Sequence, residues 1–271
     1  MTPVEQADYT IAVVSGGLDS TTMVYDLLAH GHKVDMLSFN YGQRHARELN
    51  YARGTARHLG LRHDVVDVSG VASLFSEGKS SLVNEDVSVP EGHYAEENMK
   101  ATVVPNRNMI MLSIAAGVAV ARNATGIATA VHSGDHFIYP DCRPQFIAAA
   151  NAAIVIGNQG FGLIPEKADS QMPGRFILVP FLDKTKADIA YRALELGVPL
   201  HMTYSCYKGE DRHCGRCGTC VERLEAIHEA QTAMLVEGRA GTQYVDYTTY
   251  ADTEFWKTTI AMAKKKEDVN G

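Results

Sequence analysis

The chain has 271 residues, of which 45% are hydrophobic and 21% are charged. This composition is typical of an ordinary soluble globular protein with one sizeable core, and the polar N-terminus lacks a signal peptide or a membrane-spanning run, so we expect a cytoplasmic protein. The net charge of −7 disfavours a large non-specific nucleic-acid surface and favours a small-molecule substrate over RNA.

The most informative motif follows the first predicted strand. Residues 10–14 read TIAVV, a short apolar run typical of a strand buried in a parallel sheet, and residues 15–20 read SGGLDS. Two glycines allow a sharp turn into a helix that begins at Thr21, capped by Asp19 or Ser20. The free N–H groups and the positive end of the helix dipole predict an anion site. The alternative is a strand-to-helix turn that binds no ligand.

Strands and helices alternate along the rest of the chain. We predict helices over 20–30, 43–59, 108–121, 143–156 and 185–196, and strands over 34–39, 62–68, 124–131 and 176–179. Thr185 and Asp188 have the spacing of a capping box at the start of the last helix. Residues 70–101 interrupt the alternation and are predicted to form an inserted loop or lid. Single helices between strands imply a parallel, doubly wound α/β sheet with ligands beyond the carboxyl ends of its strands.

Four of the five cysteines, Cys206, Cys214, Cys217 and Cys220, lie within fifteen residues in the pattern C-x7-C-x2-C-x2-C. In a cytosolic chain such clustering predicts a metal site. Four thiolates would complete a tetrahedral structural Zn²⁺ site with no open position. An iron–sulfur cluster, His213 as a ligand, and disulfides or free thiols are the alternatives.

We expect three parts along the chain. Residues 8–200 are predicted to form a nucleotide-binding α/β domain, and residues 201–235 a zinc-binding segment with a helix. Residues 236–271 are predicted to form a C-terminal extension that ends in a charged, disordered tail. The remaining cysteine, Cys142, is interpreted as a buried small residue, with a nucleophile as the alternative.

Six motifs carry a family resemblance. They are SGGLDS at 15–20, YGQRH at 41–45, VPNRN at 104–108, YPDCR at 139–143, PFLDKTK at 180–186 and SCY at 205–207 with CGRCGTC at 214–220. Together they resemble the 7-cyano-7-deazaguanine synthase (QueC) family over about residues 10–228. SGGLDS alone indicates the wider N-type ATP pyrophosphatase superfamily, which has the adenine nucleotide alpha hydrolase (HUP) fold, whereas YPDCR together with the four cysteines is more specific.

The resemblance implies an ATP-dependent ligase that converts 7-carboxy-7-deazaguanine and ammonia into a nitrile through an adenylated carboxylate and an amide. It implies ATP and Mg²⁺ as cofactors, beside the Zn²⁺ expected from the cysteines, and these small molecules as partners. Composition and charge argue against membrane or direct nucleic-acid contact, and a homodimer is one expected assembly. Three alternatives remain open. They are a related ATP pyrophosphatase that acts on tRNA, an enzyme that stops at the amide, and a non-catalytic nucleotide-binding zinc module.

The resemblance also implies site residues. The expected nucleotide-binding residues are Ser15, Gly16, Gly17, Leu18, Asp19, Ser20, Tyr41 and Gln43, and the expected catalytic residues are Asp19, Lys184, Arg107, Asp141 and Arg143. The lysine would neutralise the leaving group, and the arginines would bind phosphate or carboxylate in a bidentate manner. Lys186, Asp135 and His45 are further candidates. The alternatives are solvated lysines and loop-capping aspartates.

Overall fold

A parallel sheet forms the centre of the protein in the computed structural model, which describes residues 8–72, 80–95, 99–162, 164, 174–239, 241 and 245–261. Within these residues the sheet has five strands, β1 (Tyr9–Val13), β2 (Lys33–Asn40), β3 (His63–Asp67), β4 (Gly126–Ala128) and β5 (Ile177–Leu178). Their order is β3-β2-β1-β4-β5, and every pairing is parallel.

Helices cover both faces of this sheet. They are α1 (Leu18–Ala29), α2 (Glu48–Leu59), α3 (Ser69–Ala72), α4 (Arg107–Ala121), α5 (Pro144–Gly157), α6 (Lys186–Glu195) and α7 (Gly218–Val236). Side chains alternate along β1, so Ile11 packs in the core shared with α4 and α5, whereas Ala12 packs in the core shared with α1 and α2. The predicted doubly wound parallel α/β sheet is confirmed.

Several element boundaries differ from the prediction. Helix α1 begins at Leu18 with Gly17 as its N-cap, so Asp19 and Ser20 lie in its first turn and neither caps it. Helix α2 begins at Glu48, later than predicted. The turn before it is held by a segment that is distant in sequence, because the Arg44 N–H donates a hydrogen bond to the Leu82 carbonyl oxygen. Strands β4 and β5 are shorter than predicted.

Parts of two further predictions lie outside the described residues. The inserted segment 70–101 is described except for 73–79 and 96–98, and the predicted charged tail falls within 262–271. Of the helices that the structure describes, none has the length and apolarity needed to cross a membrane.

The strand order places a crevice beside β1. The chain runs outward from β1 to β2 and β3, and then returns to place β4 on the other side of β1. In doubly wound sheets ligands bind at such a switch point, beyond the carboxyl ends of the strands. Helix α6 packs against both α1 and α7, and a cluster of buried apolar residues that includes Leu18, Ala190 and Ile227 joins the three helices. The first turns of α7 lie at the same end of the sheet, where Glu222 reaches the crevice.

Candidate active site

A cleft of about 220 Å³ opens beyond the carboxyl ends of β1, β2 and β4. Each surrounding element contributes polar side chains to its walls. They include Ser15, Asp19 and Ser20 after β1, Tyr41 and His45 after β2, Arg107 at the start of α4, His132 and Asp135 after β4, Lys186 at the start of α6, and Glu222 in α7. The cleft therefore lies where the switch-point rule places a ligand.

The SGGLDS loop is held by its own hydroxyl groups. The Ser20 hydroxyl oxygen accepts hydrogen bonds from the N–H groups of Ser15 at 3.2 Å and Gly16 at 3.3 Å. Gly16 has a φ of +99°, and a Cβ atom added there would lie 2.2 Å from the carbonyl oxygen of Glu48. The turn is therefore pressed against the start of α2, and only glycine fits at this position.

Asp19 and Lys186 form a partly buried ion pair in the cleft. The Lys186 Nζ lies 2.6 Å from Asp19 Oδ2 and 3.3 Å from Glu222 Oε2. Burial alone would raise the pKa of Asp19, but the charge and hydrogen bond of Lys186, together with the charges of His132 and Arg223, outweigh it and hold the pKa below its usual value. Burial raises the pKa of the Glu222 carboxyl group. Asp19 Oδ1 is buried without a hydrogen-bond partner among the described residues, which suits a carboxylate oxygen that awaits a cation.

His132 joins this group from the loop after β4. Its Nδ1 accepts a hydrogen bond from the Gly134 N–H at 3.1 Å, so the hydrogen-bond network assigns the ring proton to Nε2. Nε2 lies 3.5 Å from Asp135 Oδ2 and 4.0 Å from Asp19 Oδ2. The other oxygen of Asp135 accepts a hydrogen bond from the Tyr94 hydroxyl at 3.0 Å. His132 therefore orients two carboxylates that face the cleft.

A second group of side chains is aromatic and surrounds Arg107. Its guanidinium carbon lies 6.0 Å from the ring centroid of Tyr41 and 5.8 Å from that of Tyr139. Burial raises the pKa of Tyr41 to about 12, so this phenol stays neutral. No carboxylate of the described residues lies within ion-pair distance of Arg107. The guanidinium is therefore available to an anionic ligand.

His45 and Glu48 form a buried pair at the wall between the two groups. His45 Nε2 lies 3.6 Å from Glu48 Oε1, and the side chains are only 5% and 10% exposed. Burial lowers the pKa of His45 to about 3 and raises the pKa of Glu48 to about 8. Gln43 donates a hydrogen bond to Glu48 Oε1 at 3.2 Å. The imidazole is therefore neutral and gives the carboxylate no opposite charge.

Several predicted site residues do not reach the cleft. The side chain of Lys184 is exposed, and its carbonyl oxygen accepts hydrogen bonds from Ser133. Asp141 accepts a hydrogen bond from the Asn108 N–H at 3.0 Å at the start of α4. Arg143 is exposed and donates a hydrogen bond to the His136 carbonyl oxygen. Gln43 is buried, and its Oε1 accepts a hydrogen bond from the Tyr41 N–H. Asp141 thus has the loop-capping contacts given above as the alternative.

Cys142 lines the cleft, but its surroundings suit a buried thiol. Burial raises the pKa of this thiol well above its usual value, so it stays protonated. Its sulfur accepts a hydrogen bond from Asn108 Nδ2 at 3.3 Å. A nucleophilic cysteine needs the opposite environment, one that favours the thiolate.

Four cleft residues, His132, Glu222, Glu48 and Tyr94, were not expected from the sequence. His132, Glu222 and Tyr94 face partners that are distant in sequence, and Glu48 falls inside a predicted helix. The sequence offered one signal for these residues, the position of Glu222. It follows Cys220, the last cysteine of the cluster, by two residues, and Cys220 lies in the first turn of the same helix.

The four predicted cysteines meet in one buried cluster. The sulfur atoms of Cys206, Cys214, Cys217 and Cys220 all lie within 4.8 Å of one another, and those of Cys214 and Cys220 are 3.9 Å apart. Four sulfurs bound at about 2.3 Å to one tetrahedral ion lie roughly 3.8 Å apart. The sulfur of Cys214 also accepts hydrogen bonds from the backbone N–H groups of Arg216 and Cys217. The cluster therefore has the dimensions of a mononuclear tetrathiolate site.

His213 is outside this cluster. Its Nε2 accepts a hydrogen bond from the Ser205 N–H at 3.0 Å, and its ring packs between Tyr204 and Tyr250. Gly215 explains the tightness of the cysteine loop, since its φ is +74° and a Cβ atom there would lie 1.8 Å from the Asp252 carbonyl oxygen. His213 thus supports the loop without contributing a ligand.

A family model and curated relatives place the chain in one family. Residues 9–231 match the family described as "Queuosine biosynthesis protein QueC". The chain is 46% identical over 250 residues to proteins named 7-cyano-7-deazaguanine synthase from Brucella ovis and Brucella canis, covering 92% of this chain and 97% of each relative. A solved NMN synthetase from Francisella tularensis is 11% identical with a TM-score of 0.44, covering 94% of this chain and 85% of that one.

Proposed function

The chain belongs to the QueC family of queuosine biosynthesis proteins, and from this membership we propose that it converts 7-carboxy-7-deazaguanine and ammonia into 7-cyano-7-deazaguanine at the expense of ATP. It is an enzyme of the C–N bond-forming ligase class, like its curated relatives. The observation that carries the proposal is a single cleft with an anion-binding loop and acidic residues at one wall and an arginine among aromatic rings at another.

We propose that the first group holds the triphosphate of ATP. The N–H groups at the start of α1 and the Lys186 ammonium face the phosphates, and Lys186 stabilises the charge that develops on pyrophosphate as it leaves. Asp19, with its unpartnered buried oxygen, would hold Mg²⁺ together with the phosphates. Mg²⁺ supplies charge neutralisation of the phosphates. Lys186, which lies in the cleft, takes the role expected above for Lys184.

We propose that the second group binds the deazaguanine. Arg107 pairs with the substrate carboxylate, and the rings of Tyr41, Tyr139 and Tyr207 provide flat apolar surface for a heterocycle. A carboxylate is a poor electrophile, and transfer of AMP from ATP to its oxygen, with release of pyrophosphate, gives an acyl adenylate in which AMP is a good leaving group. Holding both reactants in one cleft then makes the attack effectively intramolecular.

The same site has to act twice. Conversion of a carboxylate to a nitrile removes both oxygen atoms, and each removal requires an activation. The first activation and the attack of ammonia give the amide, and activation of the amide oxygen then allows elimination to the nitrile. We therefore propose a consumption of two ATP molecules per nitrile, with AMP and pyrophosphate released.

We propose that the tetrathiolate cluster holds a structural Zn²⁺. The four buried sulfurs leave no position for a reacting water, so the residues suit a closed site. An iron–sulfur cluster with each cysteine on a different iron would need sulfurs farther apart than these. Residues 201–235 would then form the zinc-binding segment that follows the nucleotide-binding domain of residues 8–200.

Product analysis tests the proposed function. The protein is incubated with 7-carboxy-7-deazaguanine, ammonium and Mg-ATP, and the small molecules are followed by mass spectrometry. The expected order is carboxylate, a transient amide and then nitrile, with AMP formed in a ratio of about two per nitrile. Untouched deazaguanine alongside modification of a tRNA would overturn the assignment, and accumulation of the amide with ATP in excess would limit the activity to amide formation.

A further inference from the structure

Glu48 is a buried carboxyl group of the cleft that the steps above leave without a role. Its residue is 7% exposed, and it lines the cleft. No lysine or arginine among the described residues lies within ion-pair distance of it, and the nearby His45 is neutral. Without a cationic partner, burial keeps this carboxyl group mostly protonated at neutral pH, and a cation bound beside it would favour the carboxylate, so its position at the cleft suits a cationic ligand.

The position of Glu48 is the second observation. Its carbonyl oxygen is in tight contact with Gly16 of the SGGLDS loop. Its side chain lies near enough to Arg107 and Tyr41 for their charges to influence one another. Glu48 therefore lies between the loop proposed for the phosphates and the residues proposed for the substrate carboxylate, where the acyl carbon and the nitrogen have to meet.

His45 lines the cleft beside Glu48 and has one ring nitrogen without a partner among the described residues. Its Nδ1 is buried and has no hydrogen-bond partner among the described residues, and its ring packs 5.1 Å from that of Tyr207. A neutral imidazole has one acceptor nitrogen, and ammonium offers four N–H donors. The carboxylate, the imidazole and the aromatic faces together match a small monovalent cation that donates hydrogen bonds.

Resting on the proposed function, we propose that Glu48 and His45 form an ammonium site in which Glu48 removes the proton that must leave before the nitrogen can attack. Ammonium transfers one proton to the Glu48 carboxylate, which leaves neutral ammonia and a protonated Glu48. The nitrogen lone pair then forms the C–N bond to the acyl carbon, and the C–O bond to AMP breaks with its electrons on the phosphate oxygen. The nitrogen releases a second proton to solvent as the amide forms.

The environment of Glu48 suits this transfer. Burial raises the pKa of its carboxyl group to about 8, while the Gln43 hydrogen bond and the Arg107 charge oppose the rise. The other titratable groups that face it are the neutral His45 and Tyr41. A carboxylate whose pKa approaches that of ammonium accepts its proton with a smaller free-energy cost than an ordinary glutamate does.

Glu48→Gln tests the proposal with two nucleophiles. Ammonium has to lose a proton before it attacks, whereas hydroxylamine is mostly neutral near pH 7. Formation of amide and of hydroxamate are measured separately, and pyrophosphate exchange that depends on 7-carboxy-7-deazaguanine reports adenylation without either nucleophile. Glu229→Gln, an exposed glutamate of α7, is the matched control.

We expect Glu48→Gln to lower kcat/KM for ammonium by about 100-fold, the scale of general-base catalysis, and the rate with hydroxylamine by less than about threefold. Equal losses with both nucleophiles, or a higher KM for the deazaguanine alone, would overturn the proposal and indicate a contact to the substrate ring. Unchanged use of ammonium would also overturn it. Wild-type protein without pyrophosphate exchange would instead overturn the proposed function.

A competition experiment on the wild-type protein avoids any question of folding in the variant. Potassium and rubidium ions are close to ammonium in size and carry the same charge. They should raise the KM for ammonium competitively and leave the rate with hydroxylamine unchanged, with the ionic strength held constant by a larger organic cation. Inhibition that is the same for both nucleophiles, or no inhibition, would contradict an ammonium site.

Discussion

Gly16→Ala tests whether the contact between the SGGLDS loop and α2 builds the nucleotide site. Gly16 has a φ of +99°, and an added Cβ atom would lie 2.2 Å from the Glu48 carbonyl oxygen and 2.8 Å from the Ala52 nitrogen. Both atoms belong to the backbone, so no side-chain rotation relieves the overlap. Gly31→Ala is the matched control, because Gly31 has a φ of +84° with nothing within 4 Å of an added Cβ atom.

The two variants separate backbone strain from steric displacement. Alanine in the left-handed region costs about 1–2 kcal/mol, and this cost applies to both positions. For a chain of this size, each kcal/mol lowers Tm by roughly 2–4 °C. Gly16→Ala also has to push the loop away from α2 by about an ångström, and a displacement of that size costs on the order of 100-fold in rate.

Thermal unfolding and pyrophosphate exchange measure the two effects. We expect Gly31→Ala to melt a few degrees lower with wild-type exchange, and Gly16→Ala to melt lower still with exchange reduced by about 100-fold. A Gly16→Ala variant that melts like Gly31→Ala and retains exchange would show that the contact with Glu48 does not position the loop.

Three further predictions follow from other parts of the site. Purified protein should carry about one zinc per chain, and Cys214→Ser should lower Tm, since metal binding is coupled to folding; elemental analysis that finds iron with acid-labile sulfide would contradict this. Lys186→Ala should reduce pyrophosphate exchange by about 100-fold, while Lys184→Ala stays within about twofold, and equal losses would remove the distinction between them. Folding raises the pKa of Glu48 from its usual 4.5 to about 8, so between these pH values the folded state holds a proton that the unfolded state has lost. The free energy of unfolding, measured with urea, should therefore fall as the pH rises from about 5 to 8, and Glu48→Gln should flatten this decline.

Local sequence patterns were enough to predict the sheet, the turn after its first strand and the meeting of the four cysteines. Apolar strand runs, glycines at helix ends and the capping box of Thr185 and Asp188 depend on neighbouring residues, and the structure contains that capping box. The SGGLDS loop and the cysteine cluster are also compact in sequence. Their positions in the fold follow from chain order once the sheet is parallel.

The rest of the cleft depends on contacts between distant segments. Lys184 and Lys186 stand on either side of Thr185, and which of them faces the cleft is decided by where α6 begins, since Lys186 is the first residue of that helix. Glu48 was hidden because the predicted helix began at residue 43, which placed Glu48 in its interior. Two contacts set the start of α2, the hydrogen bond from the Arg44 N–H to the Leu82 carbonyl oxygen and the close packing of Glu48 against Gly16. Neither can be deduced from local periodicity.

Helix α7 connects the cysteine cluster to the nucleotide loop. Cys217 is its N-cap and Cys220 lies in its first turn, so a metal on these sulfurs would fix the beginning of the helix. Glu222 follows within the next turn and holds Lys186, which in turn pairs with Asp19. The three side chains line the cleft and are partly buried, so a small shift of the helix changes the distance between Glu222 and Lys186. A metal in the proposed closed site would never touch substrate, yet it could affect the proposed adenylation through the position of Lys186.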